Sequence, residues 1–179
     1  MGYGSALLLI VFAGVPFAHA ETELAVFLDT GGPVAPGVLE AMEQEAGLLI
    51  AKSGVHLIWT TKTDRQAYES LAVVTLHGPC GTELPPPTRG SEILGLTHIA
   101  DGEVLPFADI RCDSVRRAIG REMRAAAPRD REELVGRALG HVMAHELYHV
   151  IFRTCHHSRK GFASARQSSS DLLAEAGRR

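Results

Sequence analysis

Residues 130–154 read DREELVGRALGHVMAHELYHVIFRT, and the fold turns on how this stretch is read. It holds no proline and no glycine other than Gly136 and Gly140. Val135, Leu139, Met143, Leu147 and Val150 recur at helical spacing, so the segment predicts one long helix with an apolar stripe for a core. Asp130, Glu132 and Glu133 suit its start, where the helix dipole favours negative charge. At about 100° per residue, His149 lies about 40° round the axis from His145 and one turn along it, so both imidazoles can reach one cation. Glu146 falls about 60° from His149, close enough to hydrogen-bond a water on that cation without being a ligand. Tyr148, about 100° from His149, reads as a packing residue. His141 lies one turn before His145, but a row of three imidazoles spans too much helix for one tetrahedral ion, so a supporting or plain surface role is expected for it.

A catalytic zinc site takes a third protein ligand, and Cys155, His156 and His157 follow within a short tract. No glycine comes soon after His149, so the helix is expected to continue to about Arg153 or Thr154 and the return ligand to arrive later. His157 and His156 fit that geometry better than Cys155.

The stretch His145-Glu146-Leu147-Tyr148-His149 resembles the HExxH motif of the zincin metallopeptidases. Their metzincin branch continues with xxGxxH, and here Phe152 and Cys155 stand at the glycine and the last histidine. The match is closer to small secreted bacterial proteins with the pattern HELxHxLxxTxxHxxxG, read in this chain as His145 to His149, Thr154, His157 and Gly161, with Ile151 at the second leucine. That resemblance covers seventeen residues strongly and implies His157 as the third ligand. It also implies that the metal helix crosses beneath a twisted sheet whose edge binds extended substrate. Metzincins carry a methionine turn below the metal; no methionine follows Met143, and Gly161-Phe162 is the candidate for an analogous apolar floor.

The expected chemistry is that of a secreted zinc-dependent metallopeptidase-like hydrolase. Zn²⁺ held by His145, His149 and His157 keeps one position for water, and Glu146 serves as general base toward a peptide carbonyl. The alternative is a non-catalytic exported zinc-binding module, with Cys155 or His156 filling the fourth position, or an inactive zincin-like protein. Glu146 favours the first reading, because a purely structural site gains nothing from a base there.

Upstream, Leu24 to Asp29 reads as a strand and Pro36 to Ser53 as a helix with Leu39, Met42, Leu48 and Leu49 inward, closed by Gly54. His56 to Thr60 and Leu71 to His77 read as strands, followed by a loop over residues 78–90 that contains Cys80 and Pro85-Pro86-Pro87. Ile93 to Ala100 and Glu103 to Ile110 flank Asp101-Gly102, a strong hairpin signal, and this hairpin is the candidate substrate edge. Pro106 lacks an amide donor, which places its strand at an edge or at a bulge. His98 and Asp109 are expected to face solvent. Asp113 to about Ala127 predicts a helix ended before Pro128. Strand, helix, strands, helix and metal helix in that order predict a compact α+β domain, a twisted mixed sheet packed on helices, over residues 21–165. Residues 166–179 read as a polar C-terminal tail, with Asp171 to Ala176 a last helical turn or two.

Residues 1–20 read as a signal peptide, an apolar run from Ala6 to Ala18 closed by Ala18-His19-Ala20, so a secreted or periplasmic location is expected. The first five residues carry no Lys or Arg, which leaves an uncleaved anchor as the alternative. The remaining chain of about 160 residues is long enough for one real core. The net charge of −3 is spread rather than blocked, which argues against nucleic acid or an anionic membrane as partner and leaves a peptide or protein substrate. Three cysteines in an exported chain allow one disulfide, and Cys80 with Cys112 is the favoured pair because Cys155 adjoins the metal tract.

Overall fold

The computed structural model describes residues 22–61, 64, 66–86, 93–159, 161–174 and 176. The expected signal peptide and Pro87 lie outside these residues. Strand β1 (Thr22–Asp29) leads into helix α1 (Pro36–Ala51), which returns the chain to strands β2 (Val55–Thr60) and β3 (Leu71–His77). A hairpin of β4 (Gly95–Ala100) and β5 (Glu103–Arg111) precedes helices α2 (Cys112–Ala118) and α3 (Gly120–Ala125). The long helix α4 (Arg131–Phe152) and a short helix α5 (Ser169–Leu172) complete the order. The expected α+β class is observed: the strands form one mixed sheet in the order β2-β1-β3-β5-β4. All neighbours run parallel except β4, which pairs antiparallel with β5 at the edge.

Alternation along the strands sends one row of side chains to the core. Leu24 and Val26, Val55 and Leu57, Ala72, Val74 and Leu76, and Ala108 and Ile110 meet the apolar faces of α1 and α4. In α1, Met42 and Leu49 are buried as expected, but Leu48 is 50% exposed, and Val38, Ala46 and Ile50 complete the inward face. The run Leu48-Leu49-Ile50 carries no helical phase of its own, and only packing selects which of the three turns away. Gly54 follows α1 at φ +75°, a left-handed turn that glycine makes without strain.

The Asp101-Gly102 turn forms with both residues at positive φ, as a two-residue hairpin of the type I′ kind requires. Pro106 lies in a bulge rather than at an edge: β4 and β5 shift register between Thr97 and Ile99, and β5 begins pairing with β3 only at Phe107. The single helix expected over Asp113 to about Ala127 is two, separated at Ile119, which leaves helical geometry (φ −100°, ψ 13°) with its side chain buried. His98 and Asp109 are exposed to half-buried, and Asp109 accepts from both His98 (2.9 Å) and His77 (3.0 Å). Cys80 and Cys112 form the expected disulfide, joining the loop after β3 to the start of α2, and Cys155 is free and exposed.

Gly136 and Gly140 are where α4 touches α1. A Cβ at Gly136 would stand 2.5 Å from the Val38 carbonyl oxygen and 2.6 Å from the Ala41 Cβ; at Gly140 it would stand 2.7 Å from the Met42 oxygen and 2.8 Å from the Glu45 Cβ. Backbone cannot move aside cheaply, so these glycines set the interhelical distance despite their cost in helix propensity of about 1 kcal/mol each. Gly140→Ala is expected to lower unfolding free energy in urea by about 1–2 kcal/mol, the overpacking strain exceeding the gain in propensity. An unchanged or higher midpoint would show that the helices separate without penalty.

Candidate metal centre

Helix α4 ends at Phe152, one residue short of the expected end. Arg153 takes the left-handed conformation (φ 46°, ψ 46°), and the Thr154 N–H returns to the His149 carbonyl at 3.2 Å. A non-glycine residue thus makes the turn that glycine usually makes at a helix end. The turn falls one residue after Phe152, and His157 falls two after Cys155, which is how the chain departs from the metzincin spacing yet still folds back. His145, His149 and His157 gather with one nitrogen each, all within 4.8 Å of one another. Among the described residues this is the one such group, and neither His156 nor Cys155 is part of it.

The ring nitrogens have assigned roles. His145 Nδ1 lies 2.8 Å from the Phe162 carbonyl oxygen and His149 Nδ1 lies 2.6 Å from the Thr154 carbonyl oxygen. A carbonyl only accepts, so each Nδ1 donates, and each neutral ring turns the lone pair of Nε2 outward. Those two Nε2 atoms face each other at 3.2 Å. Two nitrogens bound to a tetrahedral zinc at about 2.0–2.1 Å stand about 3.3 Å apart. Two facing lone pairs repel unless a cation lies between them, so the donor set fits the metal. His157 stacks on His145 with ring centroids 5.1 Å apart and meets His149 edge-on at 4.8 Å. Burial lowers the proton affinity of His145, and burial with the neighbouring His149 lowers that of His157. Both shifts favour the neutral, metal-binding form.

Glu146 is only 5% exposed and lies against the edge strand β4. The Thr97 hydroxyl is 2.7 Å from Glu146 Oε2 and 3.1 Å from the Glu146 backbone oxygen. A Cβ at Gly95 would stand 2.6 Å from Glu146 Oε1, so β4 passes the carboxylate in direct contact. Burial raises the Glu146 proton affinity above the ordinary carboxylate value, and the Thr97 hydrogen bond opposes that rise without cancelling it. A cleft of about 770 Å³ opens on His145, Glu146, His149 and His157, walled by β4 through Leu96 and Ile99 and by α2 through Arg117.

Several supporting residues escaped the sequence. Thr97 carries a faint signal, a polar side chain on the inward row of a strand, where a buried hydroxyl needs a partner. Gly95, Gln167 and the carbonyls of Thr154 and Phe162 carry none, because their roles follow from where the chain folds back. His141 is buried against Glu45 of α1 (Nδ1 to Oε1, 3.5 Å) rather than on the surface. Tyr148 packs, as expected, between Phe152 and Phe162. Phe162 contributes its carbonyl to His145 more directly than its ring contributes a floor. No protein-family model matches the chain, and no curated protein and no solved structure matches it.

In the unfolded chain the Glu146 carboxyl ionises near its ordinary value of 4.5; in the fold it holds its proton to higher pH. Its favourable contribution is therefore complete below 4.5 and lost as pH rises through the folded value. Metal-free Glu146→Gln is expected to melt at a higher temperature than the parent at pH 7.5. The gap should close as the pH approaches 4.5. A lower melting temperature for the variant at pH 7.5 would contradict the burial argument.

Proposed function

We propose that the protein is an exported, zinc-dependent hydrolase of peptide bonds, related to the zincin metallopeptidases. The observation that carries this reading is the pair of facing Nε2 atoms 3.2 Å apart, each ring held through Nδ1 by a backbone carbonyl, with a buried carboxylate on the adjoining residue. His145, His149 and His157 hold the ion. Bound there, zinc supplies a Lewis acid that polarises a carbonyl and brings the pKa of water toward neutrality. Glu146 takes the proton from the attacking water and passes it to the leaving amine; its raised proton affinity suits a group that must carry the proton between the two. The Thr97 hydroxyl holds Oε2 and so fixes the carboxylate.

Among the described residues β4 is the edge strand of the sheet and lines the same cleft, which suits an extended peptide that adds a strand. An antiparallel edge strand beside the metal helix also supports the zincin resemblance. Export is supported by the apolar run ending Ala18-His19-Ala20 and by the Cys80–Cys112 disulfide, which persists in oxidising compartments. No helix of the described residues is long and apolar enough to cross a membrane. The net charge of −3, spread along the chain, argues against nucleic acid as a partner.

The parent protein is expected to bind one zinc and to cleave members of a mixed peptide library. Glu146→Gln should keep the metal and lose about 10²–10⁴-fold in rate, the usual contribution of a general base. Zinc bound by both forms with no cleavage by either would replace this reading with the non-catalytic zinc-binding module. By metal analysis after dialysis, His157→Ala should lose zinc and His156→Ala should retain it. The reverse result would move the third ligand to His156.

A further inference from the structure

Gln167 lies in the segment between the metal tract and α5, and its side-chain amide meets the back of the metal centre. Its Nε2 donates to the Phe162 carbonyl oxygen at 2.6 Å, the same oxygen that accepts from His145 Nδ1 at 2.8 Å. A carbonyl oxygen has two lone pairs, and here both are used. The amide nitrogen lies 3.4 Å from His145 Nδ1; since both atoms are donors, this is contact along the ring edge and not a hydrogen bond. We infer that Gln167 is a positioning residue for the ligand His145, fixing the Phe162 carbonyl that sets the tautomer and the plane of the ring. This inference rests on His145 being a metal ligand.

The case for it comes from how little else restrains that carbonyl and how firmly Gln167 is placed. Phe162 follows Gly161 at φ +80° in a loop closed by Ser158 N–H to the Ala163 oxygen (2.9 Å) and Ser164 N–H to the Gly161 oxygen (3.1 Å). Neither bond touches the Phe162 oxygen. Gln167, by contrast, directly precedes the capping box of Ser168 and Asp171 that starts α5. Leu172 of α5 is fully buried, and the Ser169 hydroxyl donates to Glu122 Oε1 at 2.8 Å. The Gln167 side chain is also a partition: it lines the main cleft on one side and, on the other, a second cavity of about 270 Å³ bounded by His141, Leu49 and Lys52. Removing the amide donor takes away the second partner of the Phe162 oxygen, and with it the restraint on that carbonyl and on the His145 tautomer. Partners that orient a ligand histidine in this way typically contribute about 10–100-fold to metal affinity.

The test compares the full chain with Gln167→Met, which keeps the volume and removes the donor, and with Ser169→Ala, which loosens α5 without touching Phe162. Zinc affinity is read by competition with a chromophoric chelator. The His145 ring is read by its imidazole nitrogen resonances in the metal-free protein at a pH above its protonation. Gln167→Met should weaken zinc binding about 10–100-fold and convert His145 from a single Nδ1–H form to a mixture. Ser169→Ala should leave both unchanged. An affinity within twofold of the parent in Gln167→Met, or an equal loss in Ser169→Ala, would overturn the assignment. If the parent itself takes up no zinc, the proposed function fails, while the nitrogen resonances still decide the role of Gln167: an unchanged Nδ1–H form in Gln167→Met refutes it.

Discussion

Helix α4 is confined from two sides by backbone. On one side Gly136 and Gly140 bring it against the Val38 and Met42 carbonyls of α1; on the other Glu146 and Val142 meet Gly95 of the edge strand. Backbone gives way less readily than side chains, so Gly136 and Gly140 set how closely α4 approaches α1, while Gly95 leaves room for the Glu146 and Val142 side chains against β4. Everything functional follows from that placement. It turns His145 and His149 toward the cleft, drives Glu146 into the seam between helix and strand, and buries Val135, Leu139, Met143 and Leu147 in the core.

With α4 placed, the chain beyond it supplies the restraints on the histidine cluster that could hold a metal ion. The left-handed turn at Arg153 serves two ends through one residue: the Thr154 N–H closes the helix on the His149 carbonyl, and the Thr154 carbonyl fixes the His149 ring. The next return, through Gly161, brings the Phe162 carbonyl to His145. The rings of His145 and His149 are therefore each oriented by a main-chain carbonyl, not by another titrating side chain. Glu146 is the contrast. It is a carboxylate kept from water, its ionisation penalised by burial and only partly restored by one hydroxyl. A group so placed is poor at stabilising the fold and well suited to moving a proton.

Much of the architecture was legible in the residue pattern. The bounds of β3, the Asp101-Gly102 turn, the phase of α4 and the Cys80–Cys112 pairing all rest on local rules or on elimination among few candidates, and each is seen in the structure. Misreadings arose where a local rule admitted two outcomes. Leu48 was expected inside because three apolar residues in a row conceal helical phase. A continuous helix was expected through Ile119 because no proline marks the break that its backbone makes there. His141 read as a surface or supporting residue because its partner, Glu45, is on another helix.

His145, Glu146 and His149 were determined by the sequence alone, because five consecutive residues on a helix have fixed relative angles whatever surrounds them. The same holds for the order of the strands along the chain and for the apolar stripe that forces α4 inward. Only the tertiary structure decided that His157, rather than His156 or Cys155, joins the other two, since that depends on a left-handed arginine no residue preference would select. It alone also brought Thr97, the Phe162 carbonyl and Gln167 to the site, from 49, 17 and 22 residues away along the chain from the groups they hold or touch. Contacts over such separations are made by packing, and spacing in the chain carries no record of them.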